Sequence, residues 1–288
     1  MVASVALLSR LFTGGGPSWQ EEHARTFVSD LRESAGRARA VVEDVSGLSV
    51  APVPVRIVDR SAWANQAISS IKAMMDVQSG LLKIKDNQIG CATSVLSMRV
   101  LGQYDPYSTD PGLYLVAPNI ADFYNHSQVG QAEVGLWVAV HEWTHVAQFQ
   151  AAPWLAEYIG QRASGLISAD GDAVADATLD EITAIMSLLE GHATYVMNNV
   201  PYDVLPCRST LIDAMAKRRS TGGAMMKRLE KILGLAKKAQ QYSQGNDFVE
   251  AVVKQTGLDG FNRVWLSPQN APTLEQLDNP AEWIASVS

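Results

Sequence analysis

The chain has 288 residues, of which 47% are hydrophobic and 18% are charged, a composition typical of globular proteins. Its 30 aspartates and glutamates outnumber 23 lysines and arginines, and the net charge of −7 argues against a phosphate-binding surface and therefore against a nucleic-acid partner. No apolar run approaches the roughly 18 residues that a membrane-spanning helix needs, so a membrane span is excluded.

The N-terminal residues and the cysteines bear on domain organisation and location. An apolar stretch opens the chain, but its basic residue follows it and no small-residue cleavage site comes after, so we do not expect a signal peptide. Residues 1–17 are expected to form a separate segment with a flexible glycine joint, and residues 18–288 a single domain. Cys91 and Cys207 lie far apart and form no metal or redox motif, which favours a reducing, cytoplasmic location.

The first part of the chain alternates helical and extended patterns. Apolar residues at helical spacing predict one long helix over 18–45. Alternating β-branched residues predict a short strand over 55–60, and a helix is expected to begin near Ser61. Residues 91–101 are again helical in character, and they lead into a turn-rich stretch, QYDPYSTDPG, at 103–112.

A second strand and a series of helices follow. The string LYLVAPNI, residues 113–120, has the character of a strand. From Gln131 the pattern is mainly helical, broken by prolines and glycines, up to a proline-rich tail. The expected fold class is therefore α+β, mainly α, with a small β-sheet.

One helical segment, AVHEWTHVAQF, contains the pattern HExxH. His141 and His145 are four residues apart, so a helix places both imidazoles on one face, with Glu142 beside them. Paired imidazoles bind zinc, and the adjacent carboxylate is placed to act as a base. Apolar residues surround the motif, so we expect a buried helix, in which such polar groups are costly unless a metal pairs with them. The alternative is two core histidines bonded to backbone carbonyls.

A catalytic zinc usually takes three protein ligands, and the string LLEGHATYVM offers two choices for the third. Glu190 and His192 diverge by about 200° on a helix, so only one of them can face the ion. Both lie at edges of the apolar stripe, and the periodicity does not choose between them. Gly191, which disfavours a helix by about 1 kcal/mol, predicts the close approach of another helix next to the site.

Several strings of the sequence together resemble known metalloproteins. HEWTH followed by EGHATY resembles the gluzincin pattern, in which HExxH precedes a glutamate in an EGxAxY-type helix. More closely, VRIVDRSAW, VLGQYDPY, HEWTHVAQFQAAPWL, LLEGHATYVM, FNRVW and NPAEWIA resemble the actinobacterial zincin-like hydrolase family, often labelled as associated with deazaflavin coenzyme biosynthesis. The resemblance implies a zincin-like metalloprotease fold with one Zn²⁺ per chain. It also implies His141, His145 and Glu190 as ligands and Glu142 as the catalytic base.

A zinc-dependent metallopeptidase is the function that this motif favours. Glu142 would take a proton from a zinc-activated water and return it to the leaving amine of the cleaved peptide. The developing oxyanion also needs a hydrogen-bond donor, and His192, Tyr195 and Tyr104 are the candidates. The expected substrate is therefore a peptide or a small amide.

The strand predicted over 113–120 precedes the motif helix, and in zincins the strand in this place commonly pairs with an extended substrate. Val116, Ala117 and Asn119 are therefore candidate substrate contacts on an edge strand. The alternative is an ordinary edge strand blunted by Pro118.

Two other functions stay open at the level of sequence. One is a zinc hydrolase that acts on a non-peptide amide or a small metabolite, and the other is a non-catalytic binding or scaffold protein whose zinc is structural. An open coordination position distinguishes an enzyme from a scaffold, because a structural zinc is closed by four protein ligands. The oligomeric state does not follow from the sequence.

Overall fold

The computed structural model describes residues 16–76, 93–94, 96–168, 172–220 and 242–287. These residues are mainly helical with one small sheet, which confirms the predicted α+β, mainly α class. The elements in chain order are α1 (Glu21–Ser46), β1 (Val55–Val58), α2 (Arg60–Asp76), β2 (Gly102–Asp105), β3 (Gly112–Val116), α3 (Ala117–Ser127), α4 (Gln131–Ala151), α5 (Leu155–Ser168), α6 (Asp172–Asn199), α7 (Arg208–Ser220), α8 (Tyr242–Phe261), 3-10 turns at Asn262–Trp265 and Pro268–Asn270, α9 (Leu274–Asp278) and α10 (Pro280–Val287). Among the helices described, none is both long and apolar enough to cross a membrane.

The predicted elements are recovered with shifts at their ends. The long N-terminal helix and the motif helix are present, and the first strand stops at Val58 because α2 already begins at Arg60. Within the predicted helix 91–101, residues 93–94 and 96 are helical and the chain turns at 97–99, while Cys91 lies outside the described residues. Residues 1–15 of the predicted N-terminal segment also lie outside them.

The sheet has three strands in the order β1-β3-β2. β1 runs parallel to β3, with Val55 opposite Leu113, and β2 runs antiparallel to it, with Gly102 opposite Leu115. Every residue of β3 is buried, and the strand is paired on both sides. β2 is an edge strand of this sheet, since β3 is its one partner among the described strands.

The prediction of an edge strand over 113–120 is wrong. β3 is the central strand and ends at Val116, whose backbone N–H already donates to the carbonyl of Leu101 at 2.8 Å. Ala117 begins α3 instead of continuing the strand, and Pro118 lies in the first turn of that helix. Proline is favoured there because its missing N–H has no helical partner to lose.

Asn119 is a buried structural residue and does not face a substrate. Its side-chain amide donates to the carbonyls of Ser97 and Val100 at 2.7 and 2.6 Å, and its Oδ1 accepts a hydrogen bond from Arg60 Nε at 2.7 Å. The side chain therefore satisfies buried polar groups next to the sheet, as a buried amide must.

β2 was not predicted, because its sequence GQYD lies at the turn-rich stretch and contains residues that are depleted in strands. Pairing with β3 supplies the stabilisation that its own residues lack. At its end Asp105 is fully buried and accepts hydrogen bonds from Gln66 Nε2 at 2.6 Å, Ser70 Oγ at 2.7 Å and the Tyr107 N–H at 3.0 Å. Three donors thus compensate the buried carboxylate and hold the end of β2 against α2.

Contacts divide the chain into two compact units, and the single domain predicted over 18–288 stays a prediction. The first unit comprises 1–41, 52–143 and 201–221, and its described part includes the sheet. A small apolar cluster packs on β3 there, consisting of Trp63, Ala64, Ala67, Tyr114 and Val116. The second unit comprises 42–51, 144–200 and 222–288 and contains a larger cluster, in which α6 packs along α8.

In the second unit α6 and α8 meet at two glycines. A Cβ on Gly191 would overlap the backbone carbon of Gly245 and would lie 2.5 Å from its carbonyl oxygen. A Cβ on Gly245 would overlap the carbonyl of Ser187. The two backbones approach this closely because neither glycine has a side chain, which confirms the close approach that Gly191 predicted.

The segment after α8 is tied into the same unit through Trp265. The Trp154 indole N–H donates to the Trp265 carbonyl at 2.8 Å, and the Trp265 indole N–H donates to Asn262 Oδ1 at 3.2 Å. Asn262 Nδ2 in turn donates to the Ser46 carbonyl at 3.0 Å. Buried and partly buried indoles of this kind are anchored when their single N–H donor finds an acceptor.

Candidate metal centre

Helix α4 holds all three residues of the HExxH motif. His141 and His145 are partly buried one helical turn apart, and Glu142 is only 5% exposed. The surrounding apolar side chains are buried, namely Val134, Leu136, Trp137, Val138, Ala139, Val140, Val146 and Ala147. The prediction of a buried motif helix is therefore confirmed.

Glu190 on α6 completes a group that could hold a metal ion. One ligand atom from each of His141, His145 and Glu190 lies within 4.8 Å of the other two, and His145 Nε2 is 3.6 Å from Glu190 Oε1. A tetrahedral zinc with ligand distances of 2.0–2.2 Å would hold its ligand atoms about 3.3–3.6 Å apart. Two imidazole nitrogens and one carboxylate oxygen also match the donor set of catalytic zinc sites, so these residues fit the ion.

Gln148 contacts the second of these histidines from within α4. The side chain is fully buried, and its Oε1 lies 2.8 Å from His145 Nδ1. Its Nε2 lies 2.9 Å from the carbonyl oxygen of Leu189 and 3.1 Å from His192 Nδ1. Gln148 was not among the predicted site residues, although a polar residue at the third position after His145 on a buried helix face was a usable signal.

His192 does not belong to the group that could hold a metal. Its ring is fully buried and packs against Phe261 and Trp265, with ring centroids 5.0 and 5.3 Å away. Burial, followed by the nearby charge of His145, lowers the pKa of His192 to about 3, so the ring is neutral. Its proposed role as an oxyanion donor is corrected, because a ring with no exposed surface cannot meet a substrate.

The two tyrosines lie in different places. Tyr195 packs at the edge of the large apolar cluster, and burial and then the charge of Glu250 on α8 raise its pKa. Tyr104 lies in β2, where burial and then the charge of Asp105 raise its pKa. Both hydroxyls therefore keep their protons at neutral pH and can donate. Tyr104 is the one on the strand that contacts the motif helix.

That contact is made by Gly102, the first residue of β2. A Cβ on Gly102 would lie 2.5 Å from Glu142 Cγ, 2.7 Å from Cδ and 2.8 Å from Oε1. The strand backbone therefore lies directly against the buried carboxylate, and only glycine leaves room for it there. Since side chains alternate along a strand, the Tyr104 side chain lies on the same face of β2 as the Cβ position of Gly102 that faces Glu142. Gly102 was not among the predicted site residues because β2 itself was not predicted.

Comparisons with known proteins bear on the family and class of the chain. A solved structure from Chloroflexus aurantiacus, described provisionally as a hydrolase with a novel fold, is 29% identical, with a TM-score of 0.77 over 99% of this chain and 96% of that one. No curated protein matches the chain. The family model described as zincin-like metallopeptidase matches residues 8–175 and 160–284, and this match supports a hydrolase. Because the matches together span nearly all of the sequence, the chain belongs to the zincin-like metallopeptidase family.

Proposed function

We propose that the protein is a zinc-dependent metallopeptidase that binds one Zn²⁺ through His141, His145 and Glu190 and uses Glu142 as general base. One observation carries the proposal: the ligand atoms of His141, His145 and Glu190 cluster within 4.8 Å, and the next residue after His141 is the buried glutamate that the motif provides as a base. If His141 and His145 were only structural core residues, nothing would require the Glu190 carboxylate to lie at ligand distance from them.

The chemistry divides between the metal and the protein. When bound, zinc supplies a Lewis acid that polarises a carbonyl and makes water more acidic. Glu142 accepts the proton of the attacking water and delivers it to the leaving nitrogen, so that the amine departs neutral. With only 5% of Glu142 exposed, bulk water competes little for that proton.

The sheet supports a peptide as the substrate. β2 presents an edge of backbone donors and acceptors and passes Glu142 at Gly102. An extended peptide that adds to this edge would carry its backbone past the catalytic carboxylate. Tyr104, two residues along the same face, is the proposed oxyanion donor. β2 thus takes the role that was predicted from the sequence for Val116, Ala117 and Asn119.

The test compares the wild type with Glu142→Gln and with a matched control, Glu133→Gln, in the first turn of the same helix. Each protein is assayed for zinc content by elemental analysis and for cleavage of a broad peptide library with and without a chelator. We expect about one zinc per chain in all three proteins. Glu142→Gln should lose about 10²- to 10⁴-fold in cleavage rate, as the loss of a general base predicts, and Glu133→Gln should keep the wild-type rate.

Four outcomes would contradict parts of the proposal. A wild type that takes up no zinc refutes the metal site, and a Glu142→Gln variant that keeps both zinc and rate refutes the general base. Chelator-sensitive hydrolysis of small amides but not of peptides would favour the metabolite hydrolase, and zinc binding without any hydrolysis would favour the scaffold. The cytoplasmic location, the lack of a nucleic-acid partner and the actinobacterial, deazaflavin-associated label stay predictions from the sequence.

A further inference from the structure

Gln148 stands between two functional segments without being part of the ligand set. It follows His145 by three residues on α4, and it reaches the backbone of Leu189, the residue directly before Glu190 on α6. Its side chain is 0% exposed, so all of its hydrogen bonds are made inside the protein. Each of these hydrogen bonds therefore restricts the orientation of the group that Gln148 contacts.

The backbone carbonyl of Leu189 fixes the orientation of the Gln148 amide. A carbonyl oxygen only accepts hydrogen bonds, so the group 2.9 Å from it must be the NH₂ of Gln148. The amide oxygen then faces His145 Nδ1 at 2.8 Å. Since an amide oxygen also only accepts, His145 must carry a proton on Nδ1, and in the neutral ring the lone pair is then on Nε2.

His192 accommodates the same orientation from the other side. The second N–H of the Gln148 amide points at His192 Nδ1, 3.1 Å away, and the neutral ring can accept it there. The ring itself is held by Phe261 and Trp265, so it cannot swing away from Gln148. If the amide were reversed, its oxygen would face the Leu189 carbonyl oxygen, and a repulsive contact between two acceptors would result.

We propose that Gln148 is a positioning residue that holds His145 in the Nδ1–H tautomer and aims its Nε2 lone pair at the metal, with His192 and the Leu189 carbonyl holding Gln148 in turn. The proposal rests on the proposed metal site. Nε2 is the atom of His145 that lies 3.6 Å from Glu190 Oε1. A partner on the far nitrogen of a ligand histidine orients the ring and raises the basicity of the ligating nitrogen.

The chain offers a matched control for this role. Gln150, on the same helix, also makes two hydrogen bonds through its amide, accepting from the Ala51 N–H at 2.7 Å and donating to the Ala51 carbonyl at 3.0 Å. Gln150→Met and Gln148→Met therefore remove similar numbers of bonds from the same helix. They differ in burial, whose effect the unfolding measurement reports, and in whether the side chain contacts a ligand histidine.

Zinc affinity of both variants is measured by competition with a chromophoric chelator, and urea unfolding of the metal-free proteins reports their stability. We expect Gln148→Met to bind zinc about 10- to 100-fold more weakly than the wild type, the usual effect of losing such a partner. Gln150→Met should keep the wild-type affinity even where its stability falls. Equal zinc affinity of Gln148→Met and the wild type, in folded protein, would overturn the proposal.

A second measurement needs no Gln148 variant and no metal. Long-range ¹⁵N NMR of the metal-free wild type reports the protonated nitrogen of each of the five histidines, and the His145 signal is assigned by its loss in His145→Asn. At a pH high enough for the imidazole ring to be neutral, we expect a protonated Nδ1 and an unprotonated Nε2 at His145. A neutral ring that carries its proton on Nε2 in the folded protein would overturn the proposal. Absence of zinc binding by the wild type would instead refute the metal site, whatever the tautomer.

Discussion

The glycine contact between α6 and α8 predicts that Gly191→Ala lowers the free energy of unfolding, whereas helix propensity alone predicts that it raises it. In an open helix, Gly→Ala is stabilising by about 1 kcal/mol. At Gly191 the added Cβ would lie 2.5 Å from the carbonyl oxygen of Gly245 and 2.6 Å from the backbone N of Asn246. Ordinary contacts begin near 3.4 Å, and the atoms in the way are backbone, so the helices must separate by about 1 Å.

The expected cost follows from this separation. Overpacking a well-packed interface destabilises by about 1–3 kcal/mol, and a clash with backbone belongs at the upper end. After subtracting the gain in propensity, Gly191→Ala should lower the free energy of unfolding by about 2 kcal/mol. Gly36 is the matched control, because it lies in α1 and a Cβ there would meet nothing within 4 Å. Gly36→Ala should raise the free energy of unfolding by about 0.5–1 kcal/mol.

The assay is urea unfolding of the metal-free proteins, followed by far-UV circular dichroism. The two alanine variants should unfold on opposite sides of the wild type, about 3 kcal/mol apart. Because Glu190 precedes Gly191, moving α6 should also weaken zinc binding in that variant alone. A Gly191→Ala protein that is as stable as Gly36→Ala would refute the reasoning, since it would mean that the two backbones are not in contact at this pair.

Three further results are expected. Glu190→Gln should weaken zinc binding by orders of magnitude in a chelator competition, whereas His192→Phe, which keeps an aromatic ring in place, should change it by about 10-fold or less; the reverse order would give the ligand role to His192. Gly102→Ala should keep its zinc but lose about 100-fold in cleavage rate, because the new methyl group displaces the Glu142 carboxylate by about 1 Å; an unchanged rate would remove β2 from the active site. The pKa of His192 is lowered from 6.5 to about 3, so its contribution to stability is complete above pH 6.5 and is lost as the pH falls towards 3, by at most about 5 kcal/mol. His192→Phe should therefore flatten the acid side of the unfolding free energy measured against pH, and an unchanged acid slope would contradict the neutral buried ring.

The motif helix was predictable because its signals are local. His141 and His145 at helical spacing, within an apolar surrounding, are sufficient to predict a buried helix with two imidazoles on one face. The close helix approach at Gly191 was predictable for a similar reason, because a glycine inside a strong helical pattern indicates a packing constraint. Both predictions use only the period of one helix and do not depend on which element packs against it.

The remaining errors concern partners that are distant in sequence. β2 consists of residues with little strand propensity and exists because β3 pairs with it, and no local pattern carries that information. Pro118 was ambiguous, since proline suits both an edge strand and the first turn of a helix. Glu190 and His192 had equal claims by periodicity, and their distinction depends on Gln148 and on the aromatic rings that cover His192.

The anchoring of Trp265 matters for how this protein can be handled in the laboratory. The tryptophan stands more than a hundred residues after the HExxH motif, yet its ring packs on His192 and its carbonyl accepts the indole N–H of Trp154. A truncated variant that ends after α8 would therefore remove one of the two aromatic rings that cover His192 and leave the Trp154 indole N–H without its acceptor. Trimming for crystallisation, or inserting an affinity tag within Asn262–Trp265, is therefore expected to disturb the residues next to the proposed metal site without altering a single residue of the motif.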